Sequence, residues 1–82
     1  MENLENLDCI KMYNKGVKAY DNGKLRDAYN FLQVACSSLM FEITMTSDEK
    51  KINYLSKRLM SARDLLKEIK LVNREFASTL NK

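Results

Sequence analysis

From Leu4 to Phe76 the apolar residues recur at steps of three or four, and the rhythm breaks at only two places, Asp21-Asn22-Gly23 and Thr46-Ser47-Asp48. Such steps keep side chains on one face of an α-helix, whereas a half-buried strand needs alternation. Two breaks in one helical rhythm predict three helices. Proline, which would interrupt a helix interior, is absent, and no β-branched run is long enough for a strand. The 82 residues are read as a single domain, 1–82. A chain of this length buries only about 60–65% of the surface its unfolded form exposes, which favours broad grooves over deep clefts.

The predicted fold is an all-α antiparallel three-helix bundle with a long third helix. Helix 1 is expected at about 3–22, with the stripe Leu4, Leu7, Ile10, Tyr13, Val17, Tyr20 and Asn3 as N-cap. Gly23 ends it, because a residue without Cβ takes the left-handed conformation freely. Helix 2 is expected at about 24–45 with two apolar lines. One is Leu25, Ala28, Leu32, Ala35, Cys36, Leu39, Ile43, and beside it run Phe31, Val34, Ser38 and Phe41. An apolar arc that wide calls for cover on two sides, so helix 2 is the middle element. Thr46 and Glu49 have the spacing of a capping box, and helix 3 is expected at about 47–78 on Ile52, Leu55, Leu59, Ala62, Leu66, Ile69. At roughly 45 Å it would overhang its neighbours.

Gly16 lies inside helix 1, where glycine costs about 1 kcal/mol against alanine. Ala28 follows the turn at a similar distance. Small residues on both arms of a tight helical hairpin let two backbones approach closely, so Gly16 and Ala28 are expected at the seam.

The segment "KGVKAYDNGKLRDAYNFLQVACSSL", residues 15–39, resembles two families. Gly16, Ala28 and Ala35 fit the small positions of a tetratricopeptide repeat, but Met12 and Ala19 stand where its aromatics belong, and one repeat cannot bury its own face. The segment is also similar, without a gap, to the first hairpin of the MIT (microtubule-interacting and trafficking) domain, at Lys15, Gly16, Val17, Gly23, Leu25, Asp27, Ala28 and Leu39. In helix 3, "RLMSARDLLKEI" resembles that family's third helix at Leu59, Ala62, Leu65, Lys67 and Ile69. Together the likeness spans about residues 5–70. It departs at Tyr20, where an aspartate is expected, at Ser61, where an arginine is expected, and at Arg63, where an acid is expected.

The resemblance implies a tetratricopeptide-like first hairpin and a non-catalytic module that binds short tail motifs of ESCRT-III subunits in endosomal sorting. It also implies a cytoplasmic protein recruited to endosomal membranes through partners. Its ligand groove would run between helices 2 and 3, with candidates Val34, Ser38 and Phe41 on one side and Leu59, Ala62, Arg63, Asp64, Leu66 and Lys67 on the other, and Met60 at the rim.

Other chemistry finds little support. With no histidine, no Gly-rich phosphate loop and two cysteines out of metal-ligand spacing, no catalytic residue, metal or cofactor is assigned. The isolated domain is expected to be monomeric, and Cys9 and Cys36 to be buried thiols in a reducing compartment. The acidic start "MENLENLD" lacks an apolar signal core, and no segment approaches a membrane span. Charge is uneven: residues 1–47 carry five basic and six acidic groups, and residues 48–82 carry nine basic and five acidic. Arg63, Lys67, Lys70 and Arg74 form a basic line on helix 3, with Asp64, Glu68 and Glu75 about 100° around it. A basic bundle that follows nucleic-acid phosphates is the alternative, weakened by a net charge of only +3 and by the acidic line.

Overall fold

A computed structural model of the protein describes the backbone over residues 3–80 and the side chains over residues 3–72. A short 3-10 turn, Leu4–Asn6, precedes α1 (Asp8–Asp21), α2 (Leu25–Thr44) and α3 (Glu49–Leu80), and among the described residues there is no strand. The all-α class expected from the periodicity is what forms.

The α1–α2 turn is closed by main-chain bonds. Gly23 takes φ 75°, its N–H donates to the Tyr20 carbonyl at 3.0 Å, and the Lys24 N–H donates to Ala19 at 2.9 Å. These are the paired bonds of a left-handed helix stop, and they satisfy carbonyls that the end of α1 would otherwise leave open.

α1 begins later than the periodicity indicates. Asn3 does cap, its Oδ1 accepting from the Glu5 N–H at 3.1 Å, but it caps the 3-10 turn. Leu7 is then extended, with ψ 141°, and its side chain packs against the core. A stripe at steps of three fits a 3-10 turn as well as an α-helix, so Leu4 and Leu7 kept the rhythm without belonging to α1. The start of α3 shifts similarly. Thr46 Oγ1 accepts from Asp48 N–H at 3.2 Å, and Asp48 Oδ1 accepts from Lys50 N–H at 3.0 Å. The Asp48 carbonyl also takes the first bond of α3, from Ile52 N–H at 2.9 Å, so Asp48 rather than Thr46 is the cap.

The core has two parts. Near the Gly23 turn, Ala19, Ala28, Leu32, Ala62 and Ile69 come together, and at the other end Cys9, Ile10, Leu39 and Leu55 do so. Ile10, Leu32, Leu39, Leu55 and Ile69 are the largest fully buried side chains. Each stabilises the fold by about 1.5–3 kcal/mol relative to exposure. Gly16 is buried against Leu32, whose backbone nitrogen would lie 3.3 Å from a Cβ at that position. The close approach inferred from Gly16 is therefore present, with Leu32 as the residue opposite it and Ala28 fully buried in the adjoining core.

The backbones of α1 and α2 run close together, as do those of α2 and α3, whereas α1 and α3 approach within 8 Å at few points. Tyrosines bridge that wider gap. Tyr13 Oη donates to Ser61 Oγ at 2.9 Å, and Tyr20 Oη donates to Glu68 Oε2 at 2.6 Å. Both pairs are 48 residues apart, so α1 and α3 run parallel and in register, each antiparallel to α2. Ile69 is the last buried residue described on α3, and Leu71 and Val72 are exposed. The apolar line expected to continue through Val72 thus leaves the core there, and α3 goes on as the anticipated overhang; Phe76 lies outside the described side chains.

Candidate functional site

Two surfaces flank α2. The first is the outer face where α2 meets α3; there Arg63 Nη2 donates to Met40 Sδ at 3.8 Å and Met40 is half exposed. Cys36, one turn before Met40, lies near the same guanidinium. Burial raises the Cys36 thiol pKa, and the Arg63 charge opposes that rise because a cation favours the thiolate. On α3, Leu59 and Leu66 are half-buried, each packed against one part of the core, while Arg63 and Lys67 are exposed a helical turn apart. This face thus sets half-buried leucines beside exposed cations. At the loop end, Lys51 meets Glu42 at 3.5 Å.

The second surface is the outer face between α1 and α2. Asp8 and Cys9 of α1 line one hollow with Ser37, Ser38, Phe41 and Glu42 of α2. Nearer the Gly23 turn, a second hollow is lined by Lys15, Lys18, Ala19, Asn22, Lys24, Asp27 and Phe31.

The candidate residues divide between these surfaces. Leu59, Arg63, Leu66 and Lys67 sit together on the α2–α3 side. Ala62 is 0% exposed and belongs to the core, so it cannot touch a ligand there. Asp64 is exposed, and helical spacing places it about 100° around from Arg63. Ser38 and Phe41 line the hollow against α1 instead of facing α3, and the helical period puts Val34 on their line. On α2 the residues beside Arg63 are Cys36 and Met40. Met40 had a sequence signal, since it follows Cys36 by four residues and stands one step off the core line.

The acidic line of α3 is partly engaged, since Glu68 holds Tyr20. Arg74 and Glu75 lie outside the described side chains. Cys9 is almost fully buried, and burial together with the nearby Glu42 charge pushes its thiol up. Among the described residues no cluster of side chains could hold a metal ion, and no helix is long and apolar enough to cross a membrane. No family model, curated protein or solved structure matches the chain.

Proposed function

We propose that this chain is a non-catalytic protein-interaction module of the MIT type, which takes a short amphipathic helix into the outer groove between α2 and α3. The observation that carries this is the pairing of exposed Arg63 and Lys67 with the half-buried Leu59 and Leu66 beneath them and the half-exposed Met40 opposite. A helical ligand would lay anchors at i, i+3 and i+4 on these apolar side chains. The rim charges set its sign, so the preferred ligand carries Asp or Glu opposite Arg63 and Lys67. Arg63 holds Met40 only by a long contact to sulfur, so the guanidinium can turn to a carboxylate at little cost. By family resemblance the ligand is the tail of an ESCRT-III subunit, and the protein is cytoplasmic and reaches endosomal membranes through that partner.

Isothermal titration with a panel of amphipathic tail peptides, acidic and basic, tests this. Acidic peptides should bind the wild type, and Arg63→Glu with Lys67→Glu should weaken them about tenfold or more while leaving the helical circular dichroism intact. Unchanged affinity after the reversal would reject the groove. Loss of duplex DNA binding in parallel, with a steep salt slope, would favour the nucleic-acid alternative.

A further inference from the structure

The second apolar line of α2 is only partly covered within the chain: Phe31 packs against the core and Ser38 is half-buried, but the rest of the line lies open. Val34, Phe41 and Met45 are 51%, 63% and 68% exposed, and with Phe31 and Ser38 they occupy one arc of the helix. From Phe31 to Met45 this line runs about 21 Å. Helix 2 has the wide apolar arc of a middle element, yet α1 and α3 leave Val34, Phe41 and Met45 of its second line exposed. Large exposed apolar side chains rimmed by polar groups are characteristic of an interaction surface.

We propose that a second copy of this chain covers this face, with α2 packed antiparallel against α2 about a two-fold axis near Val34 and Ser38. The charges at the two ends of the line are what single out that occupant. The hollow beside Phe31 is lined by Lys15, Lys18 and Lys24 against one acid, Asp27. The hollow beside Phe41 is lined by Asp8 and Glu42 and by no base, although Glu42 also meets Lys51. A two-fold axis between the hollows sets the lysine end of one copy on the carboxylate end of the other, twice. In such an interface a residue i that meets j is repaid by j meeting i, so one polarised face is its own complement. A partner of uniform charge would match one end and be repelled at the other.

The face is narrow. Interfaces that bury less than about 1,200 Å² in total are weak, and a single seam about 21 Å long belongs with them, so we expect a Kd between about 10 μM and 1 mM. Such a dimer would differ from the monomer expected of the isolated domain. It uses the side of α2 away from Arg63 and Lys67, and so stands apart from the peptide groove.

Sedimentation equilibrium of the full chain from about 10 μM to 1 mM at low salt should show a monomer–dimer equilibrium. Phe41→Asp should raise Kd at least tenfold with unchanged helical circular dichroism. Lys15→Glu with Lys18→Glu in one chain, and Asp8→Lys in another, should each weaken self-association. Mixed one to one, these two variants should pair several-fold more tightly than either does with itself, because each then offers the charge the other lacks. Arg63→Glu with Lys67→Glu should leave the dimer unchanged. A chain that stays monomeric to about 1 mM overturns the proposal, even if its Phe31–Met45 amides respond to a foreign peptide. A dimer indifferent to Phe41→Asp, or charge variants that fail to complement each other, would overturn it as well.

Discussion

Leu32 fills the space that a side chain on Gly16 would need: a Cβ there would lie 2.6 Å from Leu32 Cγ and 2.7 Å from its Cδ2. Leu32 is fully buried and has no free direction in which to swing. Gly16→Ala therefore sets a helix-propensity gain of about 1 kcal/mol against an overpacking cost of about 1–3 kcal/mol. We expect a net loss of up to about 2 kcal/mol in urea melts. In a Leu32→Ala background the side-chain obstruction is gone and only the backbone nitrogen at 3.3 Å remains, so Gly16→Ala should there be less costly or stabilising. An equal effect in both backgrounds would show that the two side chains do not meet.

Ala28, fully buried in the part of the core nearest the turn, offers a second check on the hairpin. Ala28→Leu should cost about 1–3 kcal/mol, because three extra carbons have to displace Leu32, Ala62 or Ile69. A denaturant midpoint equal to the wild type's would place Ala28 on the surface.

The Tyr20–Glu68 bond gives the fold a dependence on alkaline pH. The hydrogen bond to Glu68 raises the Tyr20 pKa above the ordinary 10.0, with some burial and the Glu68 and Asp21 charges acting in the same direction. A phenol that loses its proton can no longer donate, and it faces a carboxylate as a second anion. With the folded value raised, the stabilisation is whole below about pH 10 and is lost as pH climbs through the raised value. Absorbance titration near 295 nm should show Tyr20 titrating late in the wild type, and Glu68→Gln should bring that late phase down. A curve that Glu68→Gln leaves unchanged would exclude the bond.

The thiols should differ in reactivity. Burial raises both pKa values, but Cys36 lies beside the Arg63 cation whereas Cys9 lies near the Glu42 anion and is almost wholly enclosed. A thiol reagent at pH 8 should modify Cys36 first, with Cys9 following only as the fold opens. Arg63→Glu should slow Cys36 further; acceleration would mean that the guanidinium shields the sulfur instead of favouring its thiolate.

The number, order and approximate extent of the helices were legible because period and punctuation are local properties of a chain. Gly23 could be placed for the same reason. The start of α1 was not, since Leu4 and Leu7 satisfy a 3-10 turn and an α-helix equally. Nor could the side of α2 facing α3 be read. A three-helix arrangement and its mirror image have identical apolar periods, so Val34, Ser38 and Phe41 could be placed on an arc but not against a particular neighbour. The basic rim at Arg63 and Lys67 was legible, being a matter of spacing on one helix; its partners Cys36 and Met40 required the handedness of the bundle.

The three-residue turn Asn22–Lys24 also bears on the order of folding. Closing so short a loop costs little chain entropy, and α1 against α2 is the most extensive contact in the molecule. The Tyr13–Ser61 and Tyr20–Glu68 bonds each span 48 residues and are made only once α3 has docked. We expect the hairpin to form first, as the nucleus, and α3 to settle onto it in the slower step. Substitutions at Gly16 or Leu32 should then change the folding rate, while loss of either tyrosine hydroxyl should act mainly on the rate of unfolding. A chevron analysis with Tyr13→Phe slowing folding as much as it destabilises would reverse that order.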